Sequence, residues 1–162
     1  MKEETIKASY LKGQLHECAP SDQSLMKEAM QAAQKAYAPH SGFHVGAAIR
    51  TKSGMVKTGN NQENAAYPSG LCAERVVLYA HHALCPEEVI EAIAIYAPIN
   101  DKELAPSPCG ACRQVMVEYE QLQEENYRVL LINATEEVWI FNSVQDLIPL
   151  AFNAHHLAAD RR

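Results

Sequence analysis

Cys109 and Cys112 stand three positions apart in the stretch PSPCGACRQV that begins at Pro106. Two thiols at that spacing act either as a dithiol/disulfide pair or as part of a metal site that takes further ligands from elsewhere. A third thiol, Cys72, opens the segment CAER, and Glu74 follows it two positions later. Three thiolates suit zinc, and three protein ligands leave a fourth coordination position open for water, whereas a closed structural site has four. A carboxylate beside zinc-bound water can take its proton and pass it to a leaving group, and Glu74 is placed to offer this. The plainer role for Glu74 is that of a first-turn glutamate complementing a helix dipole. On an ideal helix it points about 200° away from the Cys72 direction.

The elements that must bring these groups together show in the patterning. LCAERVVLYAHHAL (71–84) and GACRQVMVEYEQ (110–121) read as helices, so Cys72 starts one and Cys109 and Cys112 start the next. Helix N-termini stabilise thiolates, and neighbouring helices on one face of a sheet bring their N-termini close together. Cys85 lies at the far end of the first helix, roughly 20 Å from Cys72 at about 1.5 Å rise per residue, and cannot join the site. Cys18 falls in a loosely patterned N-terminal extension (1–20) and is a weak fourth candidate.

PSDQSLMKEAMQAAQKAY (20–37) reads as a helix capped by Ser21, Asp22 or Ser24 and stopped by Pro39. FHVGAAIR (43–50) and VKTGNN (56–61) flank a Ser-Gly turn and form a hairpin. EAIAIYA (91–97) is a buried strand, and YRVLLINA (127–134) and EVWIFN (137–142) are joined too tightly for a parallel crossover, so they pair antiparallel. SVQDLIPLAF (143–152) reads as a short final helix broken by Pro149. The sum is a mixed five-stranded sheet covered by helices, an α/β domain spanning residues 21–162.

Composition narrows the function. The 162-residue chain carries a formal net charge of −6, which argues against an affinity built on phosphate contacts and hence against nucleic-acid partners. No apolar run is long enough to span a bilayer, and the polar N-terminus lacks the apolar core of a signal segment. Small-molecule chemistry in the cytoplasm is the expectation, with the five cysteines as thiols or ligands rather than a disulfide framework. The seven histidines show no ligand spacing and read as surface or packing residues.

Taken together, CAER (72–75) and PCGACRQ (108–114) resemble the cytidine deaminase family in its small, three-cysteine, homotetrameric form. The His/Cys-x-Glu and Pro-Cys-x-x-Cys signature is the general one of zinc deaminases. The resemblance extends through YAPHSGFHVGAAI (37–49), GNNQENAAYPSGLCAER (59–75) and DLIPLAF (146–152), in the same order and spacing. His40, Gly42 and Gln62 are its departures, and none touches the chemistry.

The resemblance implies a three-layer α/β/α fold and hydrolytic deamination of cytidine and deoxycytidine to the uridine nucleosides, a pyrimidine-salvage reaction. It implies one zinc per subunit on Cys72, Cys109 and Cys112. Zinc-bound hydroxide would attack C4, and Glu74 would shuttle protons from the water to ring N3 and to the departing ammonia. The backbone N–H of Ala73 would hold the pyrimidine O2, Asn61 and Glu63 the ribose 3′-hydroxyl, and Phe43 would pack on the ring. Phe152 would reach a neighbouring subunit's site, and Tyr67 would stand near the subunit boundary. Arg75 would withdraw charge from a zinc centre that three thiolates leave formally negative. Read as single residues, Glu63 is equally a solvated loop carboxylate, Phe43 a core strand residue and Arg75 a surface helix arginine.

Three rivals stand beside this reading. A thiol redox protein would leave Cys72 and Glu74 without a purpose. A deaminase of another substrate, such as blasticidin or RNA, fits the NxEN segment or the net charge less well. A zinc-stabilised binding module would need a fourth ligand.

Overall fold

The computed structural model describes residues 1–158; residues 159–162, the end of the expected domain, lie outside the described residues. Six strands form one sheet in the order β1-β6-β5-β4-β2-β3. They are β1 (Leu11–Gln14), β2 (Gly46–Thr51), β3 (Val56–Asn60), β4 (Ile90–Tyr96), β5 (Arg128–Ile132) and β6 (Glu137–Phe141). β4 and β5 are parallel, and every other neighbouring pair, including the β2–β3 hairpin and the β5–β6 pair, is antiparallel. Helix α1 (Pro20–Ala33) covers one face, while α2 (Ala73–Leu84) and α3 (Gly110–Leu122) cover the other. A short α4 (Ala154–Ala158) ends the described chain.

The central strands split their side chains between two cores, as period-2 alternation demands. Ile93 and Ile95 of β4 and Val129 and Leu131 of β5 face α2 and α3. Ala92 and Ala94 of β4 and Ala48 of β2 face α1. These small residues let α1 lie close to the sheet, and Gly46 carries the effect furthest, since a Cβ there would collide with the Ala29 carbonyl oxygen. Gly59 plays the same part on the other face: its Cβ would stand 2.8 Å from the Val77 nitrogen and 3.0 Å from the Ala73 oxygen. The hairpin is therefore gripped between the backbones of two helices.

The expected five strands become six. β1 comes from the segment read as an extension, and it pairs with β6 from Leu11↔Ile140 to Gln14↔Glu137. Its sequence, LKGQ, has no apolar alternation and its first residues are exposed. The strand exists because the β6 edge offers unpaired backbone groups, a signal that side-chain patterning does not carry. The final helix expected over 143–152 is instead a 3₁₀ turn over Val144–Leu147, capped by the Ser143 side chain accepting from the Gln145 N–H. Helix α1 begins with Pro20 in its first turn and has no side-chain cap. Asp22 turns inward, where Arg128 donates to it at 2.6 and 2.8 Å and Arg50 at 3.2 Å.

Candidate active site

Cys72 and Cys109 occupy the N-cap positions of α2 and α3, both with extended backbone and neither with its side chain capping a backbone N–H of its helix. Serine, threonine, asparagine or aspartate would normally spend an oxygen there. The thiols are left free, at two positive helix ends on the same sheet face. Cys112, one turn into α3, is fully buried beneath them.

The three sulfurs lie within 4.8 Å of one another, with Cys72 to Cys109 at 4.0 Å and Cys109 to Cys112 at 3.4 Å. A tetrahedral zinc with bonds of about 2.3 Å separates its sulfurs by roughly 3.8 Å, so the triad fits that ion. No fourth histidine, cysteine or carboxylate joins the cluster among the described residues. Cys18 and Cys85 stand apart from it as free thiols. The neighbouring Cys112 thiol, then Arg75 and Cys109, hold Cys72 down to about 5 against the effect of burial. Cys112 is pushed up, first by its bond to Cys72 and then by burial.

Glu74 is 4 % exposed, and its Oε2 has no hydrogen-bond partner among the described residues. Burial drives its carboxyl up to about 7, with the charge on Cys72 adding to the shift. A buried carboxylate oxygen without a partner is costly, and here it borders the same cavity as Cys72 and Cys109. The first turn of α2 thus brings Glu74 toward the thiols despite the angular offset of an ideal helix. Arg75 reaches back to Cys72, with Nη2 3.7 Å from the sulfur.

The cavity has a volume of about 470 Å³, within the range of small-molecule sites. Phe43 and Val45 line it together with Asn61, Glu63 and the 105–107 segment. Asn61 and Glu63 also brace the wall that Phe43 belongs to. The Asn61 amide accepts from Val45 N–H at 2.8 Å and donates to the Phe43 carbonyl at 2.9 Å. Glu63 accepts from the backbone N–H of His40 at 2.8 Å and of Ser41 at 3.2 Å, and from the Ser41 hydroxyl. The Ser41 bond and then the His40 N–H hold its carboxyl below the usual range.

Ala73 is wholly buried in the first turn of α2, between Cys72 and Glu74. Tyr67 is exposed and lines an adjoining hollow of about 540 Å³ that shares Asn61, Glu63 and Cys72 with the cavity. Phe152 does not line the cavity; it is exposed, stacks on His156, and its carbonyl accepts from Gln114 Nε2 at 2.8 Å.

Sequence reasoning passed over Arg113. Its guanidinium donates to Pro108 O at 2.8 Å, Leu147 O at 2.8 Å and Ser107 Oγ at 2.7 Å. The available signal was its place: an arginine in the opening turns of a helix runs against the dipole and needs acceptors of its own.

Comparison with known proteins agrees with the site. The family described as "Cytidine and deoxycytidylate deaminase zinc-binding region" matches residues 19–124. The chain is 41 % identical over 135 residues to a cytidine deaminase from Halalkalibacterium halodurans, covering 83 % of this chain and 96 % of that one. It resembles the crystal structure of cytidine deaminase from Burkholderia pseudomallei with a TM-score of 0.71 and 42 % identity, over 80 % of this chain and 97 % of that one. For the Mycobacterium tuberculosis enzyme the TM-score is 0.59 at 35 % identity, over 80 % and 94 %. A zinc-sized thiol triad with an unpartnered glutamate beside it, matched along most of the chain by such relatives, makes this protein a member of the cytidine deaminase family.

Proposed function

We propose that the protein hydrolyses cytidine and deoxycytidine to uridine and deoxyuridine with release of ammonia, using one zinc ion per subunit held by Cys72, Cys109 and Cys112. The observation that carries this is Glu74, a buried carboxylate with an unpartnered oxygen, which borders the cavity beside three convergent thiols. When bound, zinc lowers the pKa of water and so supplies a nucleophile at neutral pH. Glu74 receives a proton from water and delivers protons to ring N3 and to the exocyclic nitrogen at C4, a task suited to a carboxyl held near neutrality.

The Ala73 N–H, at the positive end of α2, donates to the pyrimidine O2. Phe43 packs on the ring, and the Asn61 amide and Glu63 carboxylate bind the ribose hydroxyl, which Glu63 can accept. Because both are already bonded to the 40–45 segment, the sugar site is preorganised. Arg75 draws charge from Cys72 and so restores the metal's acidity.

The catalytic domain runs from residue 21, with the preceding segment adding edge strand β1. The active form is a cytoplasmic homotetramer working in pyrimidine salvage, with its sites near subunit interfaces. Exposed Tyr67 beside the cavity and exposed Phe152 on the C-terminal segment support that assembly. Among the described residues no helix is long and apolar enough to cross a membrane. The test is direct: incubate zinc-loaded protein with cytidine and with deoxycytidine and follow loss of the cytosine absorbance. Conversion is expected, and no conversion of either nucleoside overturns the proposal.

A further inference from the structure

The connection from β4 to α3, residues 97–109, has no regular secondary structure, yet it builds one wall of the cavity and delivers Cys109. Its first half is well held. Ala97 N–H donates to Ile132 O, and the Asn133 amide donates to Asp101 O at 2.7 Å. Its second half has far less. Beyond the short Ser107 N–H to Ala105 O bond, the only side chain bonded to Ser107 or Pro108 among the described residues is Arg113.

We infer that Arg113 is a positioning residue for zinc ligation: it holds the Ser107–Cys109 turn so that the Cys109 thiol is presented to Cys72 and Cys112. The guanidinium is half-buried and uses its planar fork on three acceptors at once, two in the turn and the third, Leu147 O, in the C-terminal segment. That third contact has its own anchor. The 3₁₀ turn ending at Leu147 is fixed to α3 by Glu120, which accepts from Ser143 Oγ at 2.7 Å and from Val144 N–H at 2.9 Å. The turn carrying Cys109 is therefore fastened, through one side chain, to a rigid part of the same core. Cys109 needs this more than its partners do, because it is the exposed member of the triad while Cys112 is buried and Cys72 is half-buried.

The role rests on the zinc deaminase reading but is tested apart from it. Load wild type, Arg113→Ala, Arg113→Lys and Ser107→Ala with zinc, confirm folding by circular dichroism, and measure zinc release to a colorimetric chelator. Supports of metal ligands typically matter by about 10–100-fold, so Arg113→Ala should release zinc at least about tenfold faster than wild type. Lysine cannot reproduce the three-pronged contact, so Arg113→Lys should also release faster. Ser107→Ala, which removes one of the three bonds, should show a smaller rise. Release rates equal to wild type in the folded variants, with only a lowered melting temperature, would sink the inference and leave Arg113 a structural tie. If Arg113→Ala does not fold, Arg113→Lys and Ser107→Ala decide on the same criterion. A wild type that binds zinc but converts no cytidine would overturn the deaminase reading and leave this comparison standing.

Discussion

The two faces of the sheet each bury carboxylates, and they treat them in opposite ways. On the α1 face, Asp22 is 3 % exposed and receives both arginines, Arg50 and Arg128, with Glu91 taking the remaining reach of Arg50. On the α2–α3 face, Glu74 is as deeply buried at 4 % and has an oxygen with no partner among the described residues. Burial alone therefore does not mark a working group. Asp22 is satisfied and ties helix to sheet, whereas Glu74 is left with an unmet demand at the edge of a cavity, which is what the proposed proton transfer requires. Glu120, on the same face as Glu74, shows that the face is not the cause: three donors satisfy it, and it ties both Tyr127, just ahead of β5, and the C-terminal segment to α3.

This contrast can be broken by substitution. The largest effect belongs to Glu74→Gln, which should lower kcat for cytidine by at least about 10²–10⁴-fold while zinc stays bound and the melting temperature does not fall. Steady-state absorbance, metal analysis and calorimetry give the three readings, and a marked loss of stability would mean that Glu74 is structural after all. Asp22→Ala should do the reverse. It removes one of the two carboxylates on Arg50, whose side chain is only 11 % exposed and which keeps Glu91, and should cost about 1–3 kcal/mol in urea unfolding with kcat per folded molecule unchanged.

Arg75→Ala comes next, with turnover lowered about 10–100-fold and zinc retained. An unchanged rate would remove Arg75 from the mechanism. The smallest effect is a pH dependence. Burial alone would raise the Asp22 carboxyl, but Arg128 and Arg50 outweigh it and hold it below its ordinary value. The unfolded carboxyl titrates near about 3.9, so the contribution of Asp22 is complete above that pH and is lost as the pH falls through the depressed folded value. The stability gap between wild type and Asp22→Asn should thus be full at pH 7 and shrink below about pH 4. A gap that is constant down to pH 2 would contradict the arginine clamp.

Much of the site was legible because its chemistry is local. Cys72, Glu74, Cys109 and Cys112 sit at helix starts, and helix starts are read from short-range pattern. The five strands other than β1 follow from alternation, continuous apolar runs or the hairpin turn. β1 escaped because its partner, not its own residues, makes it a strand. Arg113 escaped because two of its three acceptors are backbone carbonyls, which have no side-chain signature, and one of these is 34 positions away. Asp22 stood as one of three candidate helix caps because its two arginines arrive from β2 and β5, a convergence that only the folded sheet creates.

Gly59 makes the position of Cys72 depend on a missing methyl group. With Val77 N and Ala73 O pressed against its bare Cα, α2 sits as near the hairpin as backbone can come. Alanine there would act as a shim of about one carbon's thickness under the first turns of α2. The helix would have to lift or tilt, and Cys72 would move with it, while α3 and its two thiols stayed in place. Zinc affinity would then be gauged partly at a residue that carries no ligand and has no side chain at all.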